Sequence, residues 1–97
     1  MKIERAIKEI IRTGKITYGT KETKKSIEEG KAEIVIIAEN TPRKIKEEIK
    51  EKTQEKNIPL KIYPGTSLEL GETCRRPHLT TAMTVEDTGT INEKEIE

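Results

Sequence analysis

The chain has 97 residues, of which 31% are hydrophobic and 38% are charged, so it has room for one compact domain with a thin core. Its single cysteine, Cys74, excludes an intramolecular disulfide and indicates a reducing compartment. The net charge of +1 does not by itself indicate a nucleic-acid partner, and the absence of an apolar run near the roughly 20 residues that span a bilayer predicts a soluble protein with no membrane partner.

The first predicted elements are a helix, a brief strand and a second helix. Isoleucines recur at helical spacing from Ile3 onward, which predicts an amphipathic helix that ends near Gly14. The alternating segment Lys15–Tyr18 predicts a short strand. Thr20 is a good N-cap for the second helix, and Gly30 stands where a left-handed residue is expected to end it.

The pattern in the middle of the chain predicts the central strand of a sheet, followed by a helix and another strand. The apolar run Ala32–Ala38 is rich in β-branched residues and too short for a buried helix, so we expect it to be the central strand. Thr41 followed by Pro42 predicts an N-cap and first helical position, with a helix that continues to about Lys56. A strand over Leu60–Tyr63 follows.

The last third of the chain predicts a short helix, a final strand and a tail. Thr66 with Glu69 three residues later forms a capping box, and Pro77 marks the end of the helix. The final strand is predicted over Leu79–Val85, and the acidic segment from about residue 88 is expected to be a loose tail.

Helices and strands alternate through the whole chain, which predicts an α/β fold with helices on both faces of the sheet. We expect residues 1–97 to form a single domain, a three-layer α/β/α sandwich around a mixed four-stranded sheet. Charge is polarised: residues 1–25 hold eight Lys or Arg against three Glu, whereas residues 86–97 hold one Lys against five acids. The Glu, Lys and Ile bias suits ion-pair networks at high temperature and favours a thermophilic source.

The patterns in the sequence that could suggest an enzymatic site are all incomplete. Cys74 and His78 are four residues apart, but a zinc site needs three or four ligands and the chain has one Cys and one His. Gly65 and Gly71 have the wrong spacing for a phosphate loop, and Glu72 stands where its lysine is needed. We therefore expect no catalytic residues, no metal and no cofactor.

Polar residues gather instead where predicted strands lead into helices. The segment Gly19–Lys25 places a glycine ahead of a helix N-terminus, whose free N–H groups and dipole attract phosphate, and it carries three lysines. Two more polar loops, Glu39–Pro42 and Tyr63–Thr66, follow strands at the ends where ligands gather in open α/β sheets. An ordinary capped surface helix is the alternative explanation for the first segment.

These loops, in their order and spacing, resemble the large-subunit ribosomal protein 30e family within the superfamily that binds kink-turn RNA. The resemblance runs from about Ile3 to Val85 and includes the stretch Arg76-Pro77-His78. It implies the α/β/α sandwich and one RNA-binding surface made by the three junctions. It also implies ribosomal RNA of the large subunit and neighbouring ribosomal proteins as partners, a monomer when isolated, and a location on cytoplasmic ribosomes of the archaeal type.

The resemblance assigns roles to individual residues. Lys21 is informative because much of the superfamily has Asn there, whereas a cation resembles the 30e branch. Tyr63 stands where the family often has an aromatic that contacts a base, and stacking is worth about 1 to 3 kcal/mol. Arg75 departs from the family, which has a small residue there. The implied RNA-binding residues are Gly19, Thr20, Lys21, Glu22, Lys25, Asn40, Tyr63, Pro64, Gly65 and Thr66. Further candidates for phosphate contacts are Lys24, Arg75 and Arg76.

The resemblance therefore implies a structural component of the large ribosomal subunit, not an enzyme, that binds kink-turn ribosomal RNA by shape, phosphate contacts and a few base contacts. Two alternatives remain open at this point. One is a kink-turn RNA-binding protein of a guide-RNA or RNA-processing particle, and the other is a protein-binding module in which lysine-rich helices engage acidic partners.

Overall fold

The computed structural model describes residues 1–96 and contains one mixed sheet in the strand order β1-β4-β2-β3. The strands are β1 (Lys15–Tyr18), β2 (Ile34–Ala38), β3 (Leu60–Tyr63) and β4 (Ala82–Asp87). The helices are α1 (Ile3–Thr13), α2 (Thr20–Glu28), α3 (Arg43–Glu55) and α4 (Ser67–Thr73), followed by a short 3₁₀ helix, Glu93–Glu95.

The central strand β2 divides the core into two halves. All five of its residues are buried, and side chains alternate between the two faces of a strand. Ile36 packs in the cluster that contains α1 and α4 residues, whereas Ile37 packs in the cluster that contains Ile27 of α2 and Ile49 of α3. Helices therefore cover both faces of the sheet, and the predicted three-layer α/β/α sandwich is confirmed.

Strand direction places three strand ends at one edge of the sheet. β1 and β2 each pair antiparallel with β4, and β2 pairs parallel with β3. β1, β2 and β3 consequently run in the same direction, and the mixed character of the sheet is also confirmed. The carboxyl ends of these three strands, and the helices that follow them, lie at the same edge.

Two helix starts differ from the prediction by one residue. Gly19, not Thr20, is the N-cap of α2: its φ of 102° and ψ of 152° are a conformation that is essentially restricted to glycine. Pro42, not Thr41, is the N-cap of α3, because the buried Thr41 hydroxyl donates to the Ala38 carbonyl at 2.6 Å and so closes the end of β2 instead. At the other end of α2, Gly30 has the expected left-handed φ of 72°.

The final strand begins later than predicted. β4 starts at Ala82, and Leu79 lies outside it with 64% of its surface exposed. The loop before β4 is tied to α4 because the Thr80 N–H donates to the Ser67 carbonyl at 3.0 Å. Gly71 makes this approach possible, since a Cβ there would lie 2.3 Å from the His78 carbonyl oxygen.

The expected loose tail is not seen in residues 88–96, which pack against α1 instead. Ile91 and Ile96 are 7% and 5% exposed and belong to the core cluster on the α1 side of the sheet. The Thr90 N–H donates to the Thr13 hydroxyl at 3.3 Å. Two isolated isoleucines in an acidic segment gave too weak a pattern to predict this packing.

Candidate nucleic-acid interface

The three strand-to-helix junctions are linked by backbone hydrogen bonds, the first of them through the start of β4. The Gly19 N–H donates to the Ala82 carbonyl at 2.9 Å, which attaches the first junction to the start of β4. The Glu39 N–H donates to the Gly65 carbonyl at 3.0 Å, which attaches the second junction to the third. The structure therefore brings the predicted site residues of all three junctions to one edge of the sheet.

The second and third junctions are also linked by a side chain. Asn40 is exposed, and its Oδ1 accepts a hydrogen bond of 2.9 Å from the Ser67 N–H at the start of α4. This bond orients the amide so that its NH₂ group is the free end, with no hydrogen-bond partner among residues 1–96. Asn40 is thus a fixed donor at the edge of the sheet.

The first junction presents the amino end of α2. Gly19 and Lys21 are exposed, and within residues 1–96 no side chain caps this helix end. The N–H groups of the first turn have no intrahelical acceptor and carry the positive end of the helix dipole. A phosphate oxygen is the kind of group that this end of α2 can bind.

The lysines of α2 differ in their availability. Lys21 and Lys25 are exposed and form no ion pair within the described residues 1–96. Lys24 instead forms a short ion pair with Glu48 of α3, and its hydrogen bond to Glu48 lowers the pKa of that carboxyl. The contact to phosphate predicted for Lys24 would require breaking this interhelical pair. Glu22 is exposed and lies next to Lys21 in the chain.

Tyr63 has little exposed surface for the predicted stacking in this structure. The residue is 5% exposed, and its hydroxyl lies 2.7 Å from the Thr73 hydroxyl. Gly65 covers the ring so closely that a Cβ there would lie 2.8 Å from it. The buried Tyr63 ring packs against Gly65 of the third junction, while the neighbouring Pro64 and Thr66 are exposed.

The third junction is held in place by the start of α4. The Thr66 hydroxyl accepts from the Glu69 N–H at 3.2 Å, and the Glu69 carboxylate accepts from the Thr66 N–H at 3.0 Å. The predicted capping box is therefore confirmed. The capping box fixes the orientation of the Thr66 side chain, while its hydroxyl hydrogen is still available to donate to a ligand.

Arg75 and Arg76 point to different surfaces. The Arg76 guanidinium lies 3.9 Å from the centre of the Tyr18 ring, which attaches the loop after α4 to the end of β1. Arg76 is thus near the first junction. Arg75 instead lines a groove between α1 and α4 with Lys8 and Arg12.

Sequence reasoning missed an exposed apolar residue at this edge. Leu79 was assigned to the final strand, but it stands in the loop that Thr80 and Thr81 hold against Ser67 and Ala38. Nearby Pro77 and His78 are also exposed. The signal that could have found Leu79 was its position two residues after Pro77, near which a strand is disfavoured.

We call the solvent-accessible residues along this edge the strand-end surface. Thr20 is half-buried, and the other members are exposed: Gly19, Lys21, Glu22, Lys25, Asn40, Pro64, Thr66, Pro77, His78 and Leu79. The surface combines cations, free backbone N–H groups, one oriented amide and the apolar side chains of Leu79, Pro64 and Pro77. This is the composition that phosphate contacts and a few base contacts require.

Three further observations concern the buried thiol, metal ligands and helix length in the described residues. Burial raises the pKa of the Cys74 thiol to about 11, so the thiol is protonated at neutral pH and is a poor nucleophile. Residues 1–96 contain no group of three or more His, Cys, Asp or Glu arranged to hold a metal ion. Over the same residues, no helix combines the length and the apolar character needed to cross a membrane.

Comparisons with known proteins agree with this fold and this composition. The sequence model described as the ribosomal protein L7Ae/L30e/S12e/Gadd45 family matches residues 1–95. Large ribosomal subunit protein eL30 of Methanopyrus kandleri is 40% identical over 87 residues, which cover 90% of this chain and 80% of that protein. The eL30 protein of Pyrobaculum calidifontis is 41% identical over 87 residues, covering 90% of this chain and 86% of that protein. Among solved structures, the Giardia lamblia 15.5kD RNA binding protein has a TM-score of 0.73 and 26% identity, covering 93% of this chain and 72% of that one.

Proposed function

The chain belongs to the ribosomal protein L7Ae/L30e/S12e/Gadd45 family, and from this premise we propose that it is a structural protein of the large ribosomal subunit that binds ribosomal RNA folded as a kink-turn. The observation that carries the proposal is the joining of three strand-to-helix junctions into one strand-end surface. The archaeal relatives named eL30 support the ribosomal assignment. On this proposal the chain acts on cytoplasmic ribosomes, beside neighbouring ribosomal proteins, without catalysis or cofactor.

The chemistry of the strand-end surface suggests how it holds RNA. Lys21, Lys25 and the N–H groups at the start of α2 bind phosphate oxygens, and this contact positions the RNA without reading its sequence. The free NH₂ of Asn40 donates to a base edge or a ribose hydroxyl. Leu79 and Pro64 contact the faces of bases that a sharp bend leaves unstacked.

Rigidity of the surface favours recognition of a preformed RNA shape. The capping box at Thr66, the buried ring of Tyr63 and the bond from Ser67 to Asn40 each fix one loop to α4. A surface fixed before binding loses little conformational entropy on binding. We therefore propose that Tyr63 acts through Gly65 and does not stack on RNA itself.

One alternative role is supported by a specific observation. The similarity to the Giardia 15.5kD RNA binding protein favours an RNA-binding protein of a particle other than the ribosome. Sedimentation of a lysate distinguishes the two roles. The ribosomal role predicts that the protein travels with large subunits, whereas the alternative predicts small RNA particles.

Replacing Lys21 with Ala tests the proposed surface. Lys21 is exposed and has no ion pair within the described residues, so Lys21→Ala removes one cation without disturbing the core. Loss of one phosphate contact lowers the slope of log affinity against log salt by about 0.7 to 0.9, and lowers affinity at 0.1 M salt on the order of fivefold to tenfold. The matched control is Lys50→Ala on the exposed side of α3.

Binding is measured by gel shift with two RNAs. One is a hairpin that contains a kink-turn, and the other is a control in which the same strand is fully base-paired as a straight duplex. We expect Lys50→Ala to bind the hairpin as the unaltered protein does, and the unaltered protein to prefer the hairpin. Equal binding by the Lys21→Ala and Lys50→Ala variants would contradict the assigned surface.

A further inference from the structure

A second group of cations lies on the far side of α1 from the core. Arg5, Lys8 and Arg12 are all exposed, and at 3.6 residues per turn they fall within about 60° of one another around the helix. They span about 10 Å along the axis. The buried residues of α1, such as Ile7, point in the opposite direction.

Arg75 extends this row of cations onto α4. Together with Lys8, Arg12 and Thr73 it lines a groove of about 250 Å³ between the two helices, which also contains Ile11. Arg5, Lys8 and Arg75 form no ion pair within residues 1–96, and Arg12 pairs with Glu9 at 2.7 Å. We call Arg5, Lys8, Arg12 and Arg75 the α1 basic surface.

The backbone at Arg75 shows that this position is not optimised for stability. Arg75 has a left-handed φ of 57°, and its N–H donates to the Glu72 carbonyl at 2.9 Å. The next N–H, of Arg76, donates to the Gly71 carbonyl at 2.8 Å, which completes a helix-ending motif in which glycine is the usual residue at the Arg75 position. A strained residue that carries a charge into a groove is a functional candidate.

Two carboxylates lie in the groove that adjoins the α1 basic surface on the side of the third junction. This groove, of about 340 Å³, is lined by Glu69 and Glu72 together with Lys8, Tyr63, Thr73 and Arg75. An RNA strand that ran continuously from one surface to the other would pass both carboxylates. The two basic areas are therefore suited to two separate RNA segments.

The composition of the α1 basic surface favours RNA over an acidic protein. Protein interfaces depend on apolar or aromatic anchors at their centre, and the groove offers only Ile11, which is 36% exposed. Phosphate contacts need cations and no apolar anchor, and arginine can bind a phosphate with two parallel hydrogen bonds.

We infer that the α1 basic surface binds the phosphate backbone of a second RNA segment, a straight A-form duplex, while the strand-end surface holds the first. The chain then joins two parts of a folded RNA. This inference goes beyond the proposed function, because it concerns other residues and a duplex without a kink.

The experiment adds a labelled straight RNA duplex to protein that is already saturated with an unlabelled kink-turn hairpin. Fluorescence anisotropy is recorded from 50 to 200 mM salt, the range over which phosphate contacts change affinity strongly. The test variant carries Arg5→Gln, Lys8→Gln and Arg12→Gln, which keep good helix propensity. The matched control carries Lys44→Gln, Lys50→Gln and Lys56→Gln at exposed positions in and just after α3, and changes the net charge equally.

We expect the unaltered protein and the α3 control to bind the duplex alike. The triple α1 variant should lower the slope of log affinity against log salt by about 2 to 3, with hairpin binding unchanged. Arg75→Gly is the most discriminating variant: it should lower the slope by about 0.7 to 0.9 while raising the midpoint of thermal unfolding, because glycine relieves the left-handed strain. A purely structural Arg75 would change only the midpoint.

Three results would overturn the inference. They are no duplex binding by the unaltered protein, an equal loss in the α3 control, and capture of an acidic peptide by the α1 basic surface in place of the duplex. Duplex binding is also measured without the hairpin. Failure of hairpin binding alone would therefore count against the proposed function and leave the α1 inference supported.

Discussion

Two glycines flank α2 and allow the first junction to be tested against a matched position. Gly19 precedes the helix with a φ of 102°, and Gly30 follows it with a φ of 72°. A Cβ built at either position meets no atom within 4 Å. Alanine at each site therefore introduces backbone strain without a steric clash.

The size of the strain follows from the two conformations. A left-handed alanine at Gly30 costs about 1 to 2 kcal/mol. Gly19, with ψ of 152°, lies in a region that is essentially restricted to glycine, so alanine there costs about 1 to 3 kcal/mol. In a domain of this size each kcal/mol lowers the midpoint of thermal unfolding by about 4 to 8 °C. Both variants should unfold earlier, by comparable amounts.

RNA binding should distinguish the two variants. The methyl group of Gly19→Ala stands on the strand-end surface, where the proposed RNA backbone approaches the start of α2. Gly30 lies at the other end of this helix, about 15 Å away at 1.5 Å per residue. We expect Gly19→Ala to lower affinity for a kink-turn hairpin on the order of tenfold, a change of about 1.4 kcal/mol, and Gly30→Ala to leave it unchanged.

Thermal unfolding followed by circular dichroism gives the stability, and fluorescence anisotropy at a temperature where both variants are folded gives the affinity. If Gly19→Ala unfolded like the unaltered protein, the strain argument would be refuted. If both variants bound RNA equally well, the first junction would not be part of the RNA surface.

Three further predictions concern side-chain hydrogen bonds that stabilise the fold. Tyr63→Phe removes the hydroxyl contact to Thr73 and should cost about 1 kcal/mol in urea unfolding, with hairpin affinity unchanged because the ring is buried. A large loss of affinity at unchanged folding would instead show that the hydroxyl itself contacts RNA. Thr66→Ala removes the cap of α4 and should also cost about 1 kcal/mol, measured in the same way. The hydrogen bond from Ser26 lowers the pKa of Glu86 in the folded protein. This carboxylate therefore stabilises the fold at pH values above the ordinary glutamate pKa, and the contribution is lost as the pH falls through the lowered pKa of Glu86. Ser26→Ala should therefore reduce the difference in unfolding free energy between pH 7 and pH 3, and an unchanged difference would count against the bond.

The sequence was sufficient where short-range patterns decide structure. The isoleucine spacing of α1, the apolar run of β2 and the capping box at Thr66 each depend on residues a few positions apart, and the structure contains all three. Gly30 was likewise recognisable as the residue that ends α2, because the helix has to turn there. The resemblance of the junction loops to a known family then indicated the edge of the sheet where a site was to be expected.

Other features depend on contacts between distant parts of the chain. Tyr63 follows a strand and could have faced RNA or the core; only the placement of Gly65 above it and Thr73 beside it decided that its ring is buried. Leu79 is exposed because the loop before β4 is held by α4 through Gly71.

The sequence by itself determined the helices, the strands and their alternation, because hydrophobic period and capping act within a few residues. Only the tertiary structure decided which loops meet, which lysines remain unpaired and where the acidic segment lies. Lys24 illustrates the reason: its charge is available or neutralised according to the position of Glu48, 24 residues away in the chain. Such pairings are set by the packing of one helix on another, and local sequence carries no information about them.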